Sequence, residues 1–318
     1  MKNKIIIYNQ HPTLIYAAQE LESYLERLKV SLDGPVLLAI GGAIGIATPP
    51  SWWVPFLYDS YSILIEEHGG SITGSNPRSV LLGVYDYLRQ IGFRFLQPGS
   101  RHEFIPAISS RSQLAASVQY TAPFRHRGIC LEGACSIDNI LSFIEWMPKA
   151  GFNCFFVQFQ LPYTFLERWY CHEGNPLLKE ESFSPEIAAR YDALITKALE
   201  TRSLLHHRVG HGWTCEVAGY PSCGWVSAPL FHNIPLNTNL CYSCGEVISS
   251  FVERVITYAK ANPQVDYLHI WLADECNNIC ECEECQKTTL ADQYVHLLNL
   301  IDQALTNEGL ETRIVFLI

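Results

Sequence analysis

Tyr267-Leu-His-Ile-Trp-Leu-Ala-Asp-Glu275 is the stretch that decides the fold. Its apolar run is too short for a helix and suits a buried strand, and it ends on two carboxylates where a loop begins. Stretches with helical spacing flank it, Glu246–Ala261 before and Ala291–Asn307 after. Moving outward, the alternation repeats: strand Gly128–Leu131, helix Ile137–Ala150, strand Asn153–Phe159, helix Pro185–Thr201, strand Leu204–Val209 and, at the far end, strand Arg313–Leu317. Strands separated by helices of about 10–20 residues imply a parallel sheet, either a (β/α) barrel of the TIM type or a doubly wound sheet. No GxGxxG or Walker motif follows any strand, which weakens the nucleotide-binding, doubly wound version.

The N-terminal part reads differently. Ile5–Asn9 is a short strand, and Leu14, Ala18, Leu21, Leu25 and Leu28 mark one face of an amphipathic helix. Val36–Ile40 reads as a buried strand closed by Gly41-Gly42, and Tyr61–Glu66 with Ser71–Gly74 as a hairpin around Gly69-Gly70. A second helix runs from Arg78 to Gln90, with Val80, Val84, Tyr87 and Ile91 on one side and Gly92 as its stop. This is a small α/β domain of two helices against a sheet, followed by a linker from Pro98 to Ser117 rich in Ser, Pro, Gly and Ala. The expected division is therefore an N-terminal α/β domain over residues 1–117 and a barrel-type domain over residues 118–318. Five strands are counted in the second domain, and roughly 200 residues are left for it where a barrel takes about 250. An incomplete barrel is expected, either a fragment or an open half-barrel with an exposed sheet edge, inactive or poorly stable as it stands.

Composition narrows the function. Of 318 residues, 48% are hydrophobic and 17% charged, the make-up of a packed globular protein. The net charge of −10 disfavours nucleic acid and anionic membranes as partners. No apolar stretch approaches the ~20 residues of a membrane-spanning helix. The opening Met1-Lys-Asn-Lys-Ile-Ile-Ile-Tyr8 falls short of a secretory apolar core, so a cytoplasmic location is expected.

Barrel enzymes carry their chemistry at the C-terminal ends of the strands. Polar and aromatic residues fall there: Glu132 after the first strand, Gln158 and Gln160 at the second, His211-Gly212-Trp213 after the third and Asp274-Glu275 after the fourth. Adjacent residues in a regular strand point to opposite faces, but a strand terminus lets both carboxylates reach one site. Two carboxyls in a partly buried mouth push their pKa values apart, leaving one as general acid and the other ionised. The alternative is solvated charge opening a loop. His206, His207 and His211 lie at the third strand and its loop, and no His-x-x-x-His helix for a catalytic metal is present, so structural or substrate-contact roles are expected. Trp213, Trp225, Trp169 and Tyr163 offer faces for ligand stacking or for burial under loops. No G-x-S-x-G elbow is present.

Twelve cysteines call for an explanation from spacing. Cys280-x-Cys282-x-x-Cys285, with Cys241-x-x-Cys244 one strand earlier, matches a tetrahedral zinc or iron–sulfur pattern. Cys241 or Cys244 is placed to join Cys280, Cys282 and Cys285 in one structural zinc site, with Cys276 close by in sequence; unligated or disulfide-bonded thiols are the alternative. Such a site braces the loop behind Asp274-Glu275, and no cofactor is expected for catalysis.

These residues resemble known families. Tyr16-Ala-Ala-Gln-Glu-Leu-Glu-Ser-Tyr-Leu25, Ile72-Thr-Gly-Ser-Asn-Pro-Arg78, Gly83-Val-Tyr-Asp-Tyr-Leu88 and Gly92-Phe-Arg-Phe-Leu96 resemble the small α/β domain that precedes the barrel in family 20 β-hexosaminidases and family 67 α-glucuronidases. Asn239-Leu-Cys-Tyr-Ser-Cys244, Ala261-Asn-Pro263 and Cys280-Glu-Cys-Glu-Glu-Cys285 resemble the domain of unknown function 4838, associated with glycoside hydrolase family 163. The resemblance implies a retaining glycosidase of the substrate-assisted kind acting on β-linked N-acetylhexosamine in a glycan. In that scheme Asp274 orients the substrate's acetamido group and Glu275 protonates the leaving oxygen. Arg127 matches an arginine that holds sugar hydroxyls, and Gly210-His211 matches a Gly-His after the third strand. Glu132, Gln158, His211 and Trp213 complete the expected sugar contacts. Gln158 and Leu161 stand where family 20 has His and Asp, and Trp271-Leu-Ala273 stands where it has paired glycines, which fits an endo-acting or altered pocket. An α-glucuronidase-like inverting site built on Glu132 or Glu275, and a non-catalytic carbohydrate-binding module, are the competing expectations.

Overall fold

A computed structural model describes residues 4–41, 58–131, 135–160, 162–172, 174–213, 240–272 and 280–317. The chain divides into two compact units, one of Met1–Ile129, Asp138–Cys154 and Leu194–Leu204, the other of Cys130–Ile137, Phe155–Ala193 and Leu205–Ile318.

The first unit is built on a mixed sheet of β1 (Ile5–Ile7), β2 (Val36–Ile40), β3 (Ser60–Glu66), β4 (Gly69–Gly74) and β7 (Ala116–Thr121), in the order β1-β2-β4-β3-β7. β1 and β4 run parallel to β2, whereas β4 and β7 run antiparallel to β3. Helices α1 (Pro12–Glu26) and α2 (Pro77–Gln90) both begin with proline at the first turn, where its missing N–H costs nothing. His11 and Asn76 cap them by accepting from the N–H groups of Thr13 and Ser79. The apolar stripe read from the sequence is the buried one: Leu14, Ala18, Leu21 and Leu25 pack with Val80, Val84, Tyr87 and the strand residues Val36, Leu38, Ile63 and Ile72.

Residues 98–117 are not a linker. They contain β6 (Glu103–Phe104), which pairs with β5 (Arg94–Phe95), a 3-10 turn at Arg111–Leu114, and the first residues of β7. Leu114 is fully buried and its carbonyl accepts from the Tyr87 hydroxyl, so the small, polar composition that suggests a linker here covers the core instead.

The second sheet consists of β8 (Gly128–Leu131), β9 (Cys154–Gln158), β10 (Leu205–Gly210), β11 (Tyr267–Ile270) and β12 (Arg313–Val315), and its spatial order is its chain order. Helices fall between the strands in sequence: α3 (Ile137–Lys149), α4 (Tyr163–Tyr170) and α5 (Pro185–Thr201), α6 (Gly245–Ala261), and α7 (Leu290–Asn307). A doubly wound sheet reverses direction partway across; sequential order with right-handed crossovers does not, and keeps the helices on one face. That is the progression of a (β/α) barrel, here as an open arc of five strands among the described residues.

Leu268 and Ile270 point to the helical side and pack with Phe251, Val255, Leu297 and Ile301. α7 starts one residue earlier than its apolar pattern suggests because Thr289 and Asp292 form a reciprocal cap. Buried Arg208 of β10 also faces the helices. It donates to both Asp192 oxygens (2.5 and 3.2 Å), to the Gln160 carbonyl (2.8 Å) and to the Tyr258 hydroxyl (3.2 Å), tying β10 to α5, α6 and the end of β9. α4 is not foreseen by the sequence reading, being only eight residues long and without a side-chain cap.

Candidate active site and cysteine cluster

Alternation along the strands puts one set of side chains opposite the helices. On that face, Phe156 of β9 stacks on His269 of β11 with ring centroids 4.1 Å apart. His207 of β10 lies over Tyr267 (4.6 Å) and shares a 2.9 Å hydrogen bond between its Nδ1 and His269 Nε2. Trp271 extends the row beyond β11, its N–H held by the Gly210 carbonyl, with its ring edge-on to Phe156 (5.2 Å) and to His211 (5.0 Å). A helix-facing side of leucine and isoleucine and an opposite side of histidine and aromatic rings is the asymmetry expected of strands whose inner ends serve chemistry.

The strand ends are strained. Phe159, just past β9, and Val209, near the end of β10, have φ of 67° and 79°, and Gly210 and Gly212 continue with 72° and 122°. Positive φ is uncommon for a side chain with Cβ and more so for a β-branched one. The Phe159 N–H donates to the Val209 carbonyl at 2.7 Å. Gly210 is required twice over, because a Cβ there would stand 2.9 Å from Phe156 Cζ and 3.0 Å from Trp271 Cε3. Backbone strain of this kind gathers at binding and catalytic sites, where the surrounding packing enforces it.

Gln158, at the end of β9, is fully buried, and neither atom of its amide finds a partner among the described residues. His211 is buried against Trp271. Trp213 is wholly buried; its indole N–H donates to the His269 carbonyl at 2.8 Å, and its ring packs near Phe251 and Tyr258. His206 is buried too, and burial together with Arg208 holds its pKa well below the ordinary histidine value. Arg127, in the first unit, spends its guanidinium on Asp59 Oδ2 (2.7 Å) and the carbonyls of Gly151 (2.9 Å) and Phe124 (2.7 Å). Asp59 also binds Arg78 (2.9 Å) and the Asn153 amide (2.8 Å). Glu132, Asp274, Glu275, Cys276, Leu161 and Trp225 lie outside the described residues. Phe156, His207, His269 and Trp271 form a cluster that motif reading passes over, although Tyr267-x-His269-x-Trp271 carries its signal as polar and aromatic residues at every second position.

The second constellation is the cysteines. The sulfurs of Cys241, Cys280, Cys282 and Cys285 all lie within 4.8 Å of one another, with Cys241 3.8 Å from Cys282 and 3.7 Å from Cys285. Cys244 stays out of the group and sits at the N-cap of α6. The N–H of Cys285 points at Cys282 Sγ (3.4 Å) and, with the neighbouring thiols, draws the Cys282 thiol down to about 7. Burial and adjacent sulfurs push Cys241 up to about 12. No disulfide links the described cysteines.

No protein-family model and no curated protein sequence matches the chain. Its fold is similar to solved glycoside hydrolases. A family 138 enzyme targeting pectin rhamnogalacturonan II matches with a TM-score of 0.54 and 11% identity over 96% of this chain and 33% of its own. A family 115 4-O-methyl-α-glucuronidase with specificity for decorated arabinogalactans matches at 0.52 and 11%, over 99% of this chain and 42% of its own. A family 89 glycoside hydrolase from Clostridium perfringens matches at 0.51 and 11%, over 99% and 40%. The chain thus spans about a third to two fifths of the length of these proteins. The likeness defines its class as a glycoside-hydrolase-like α/β fold.

Proposed function

We propose that the protein is a glycoside hydrolase acting on β-linked N-acetylhexosamine in glycans by substrate-assisted, retaining catalysis. The observation that carries the reading is the strained rim at the ends of β9, β10 and β11, lined by Phe156, His211, His269 and Trp271. Asp274 and Glu275 come next in the chain after that rim. In this reading Glu275 donates a proton to the leaving oxygen and then activates water, while Asp274 holds the acetamido group as its oxygen attacks the anomeric carbon. His211, Gln158 and the aromatic faces meet the sugar ring, and the likeness to family 163 in the cysteine loops favours the same class. The solved neighbours include a glucuronidase and a family 89 enzyme bound to GlcNAc-α-1,4-galactose. The fold by itself therefore selects no sugar, and the adjacent acid pair makes the choice here. No cofactor enters the chemistry.

The test is release of N-acetylglucosamine from a β-linked glycan by the protein and by Glu275→Gln. Loss of a general acid is expected to slow the natural substrate about 10²–10⁴-fold. An aryl glycoside with a good leaving group should suffer less at the glycosylation step. Unimpaired turnover in Glu275→Gln would overturn the assignment, and glycan binding with no turnover in the wild type would favour a non-catalytic binding module.

A further inference from the structure

We infer that Cys241, Cys280, Cys282 and Cys285 form a closed, four-thiolate zinc site that fastens the segment before α6 to the loop before α7. The sulfur spacing carries the argument. A disulfide would bring two sulfurs to about 2.05 Å; Cys241 stands 3.8 Å from Cys282 and 3.7 Å from Cys285, and none of the four is disulfide-bonded. Zinc–thiolate bonds of about 2.3 Å in a tetrahedron set the sulfurs about 3.8 Å apart along each edge. Three cysteines from one short loop and a fourth from another bring all their sulfurs within 4.8 Å, with the two edges from Cys241 to Cys282 and Cys285 at that spacing.

The surroundings suit thiolates. The turn from Cys282 to Cys285 aims a backbone N–H at Cys282 Sγ, and the Ser243 hydroxyl stands 3.1 Å from Cys285 Sγ, where it can donate. Gln293 of α7 donates to the Cys285 carbonyl at 2.8 Å and steadies the loop. Groups that hydrogen-bond to ligating atoms orient them and tune the metal. Four protein ligands leave no open position, so the site is structural rather than catalytic. Among divalent metals, zinc binds such sulfur sets more tightly than ferrous iron and has no geometric preference to oppose a tetrahedron. Loading releases the thiol protons as the thiolates bind. In sequence, Asp274 and Glu275 fall between β11 and Cys280, so the clamp anchors the far end of the segment that carries them. The inference does not depend on the glycosidase reading.

The experiment is elemental analysis of the purified protein, followed by exchange of its metal for cobalt. One zinc per chain is expected, and the cobalt form should show the intense visible bands of a tetrahedral thiolate complex. Cys241→Ser and Cys282→Ser should each lose the metal and those bands, whereas Cys244→Ser should keep both. A chelator that strips the zinc should lower the Tm of the wild type, which keeps the test decisive if the serine variants fail to fold. Iron in place of zinc, no bound metal, a disulfide within the group, or a Tm indifferent to stripping would each overturn the proposal.

Discussion

Phe159 and Val209 face each other across the ends of β9 and β10, both in left-handed backbone conformations and joined by the hydrogen bond from the Phe159 N–H to the Val209 carbonyl. Each such residue costs about 1–3 kcal/mol, and both side chains are buried, so core packing holds the backbone in place. Gly210 takes the next left-handed step and lies between Phe156 and Trp271. Gly210→Ala is therefore expected to destabilise by about 2–4 kcal/mol, from backbone strain and overpacking together. The midpoint of urea unfolding measures it. A variant as stable as wild type would show that the rim has room to relax.

Gln158 gives a prediction of opposite sign. A buried amide without partners costs about 1–3 kcal/mol relative to one that is satisfied. Gln158→Leu keeps the volume and removes the polar atoms, so stability is expected to rise by about that amount while affinity for glycan falls. Urea unfolding and glycan titration of the same variant read both effects. Lower stability with unchanged binding would contradict the placement of Gln158 as a sugar contact.

Two buried groups make stability depend on acid in separate windows. His206 has a depressed folded pKa, caused by burial and then by Arg208. The unfolded chain accepts a proton below about pH 6.5 that the folded site refuses, so stability falls with decreasing pH by up to about 1.4 kcal/mol per unit. His206→Phe should flatten that decline. Asp59 acts at lower pH: burial opposes its ionisation, but Arg78 and Arg127 outweigh it and hold the carboxyl below its ordinary value. Its contribution is present above about pH 4 and is lost as pH falls towards the folded pKa. Asp59→Asn strands buried Arg78 and is expected to cost about 3–5 kcal/mol at pH 7. Unfolding curves from pH 3 to pH 8 (about the span of both windows) check the two variants.

What the sequence shows and what it hides follow from how local each signal is. α5, α6 and α7 repeat apolar residues with helical period and short strand-length segments fall between them, so the alternation of strand and helix was legible. Periodicity alone leaves the spatial order of the strands open, and the absence of a GxGxxG or Walker motif is what tilts the reading to the barrel-type winding that the sheet has. β7 hides in a serine- and proline-rich stretch because only its pairing with β3 makes Ala116–Thr121 a strand. The cysteine cluster was legible from spacing within one loop, and only the fold decides between Cys241 and Cys244 as the fourth member. The stack of Phe156, His207 and His269 unites three strands through register, which no window of sequence contains. Trp213, an aromatic after a strand, reads equally as ligand platform and core; the hydrogen bond to the His269 carbonyl places it in the core.

Arg208 offers a separate test of how the second sheet is held. Its guanidinium is buried and forked onto Asp192, with Gln160 and Tyr258 taking the remaining bonds. Removing one partner of a buried pair leaves an uncompensated charge and costs about 3–5 kcal/mol, whereas replacing both with apolar groups of similar volume is often neutral or stabilising. Asp192→Ala is expected to show the larger loss, and the double variant Arg208→Met with Asp192→Leu to recover most of it. The recovery should be incomplete, because the Gln160 carbonyl and the Tyr258 hydroxyl lose a donor. A double-mutant cycle by urea unfolding measures the coupling. If Asp192→Ala lost little stability while the double variant lost much, the ion pair would be incidental and the Gln160 and Tyr258 contacts of Arg208 would hold β10 to its neighbours.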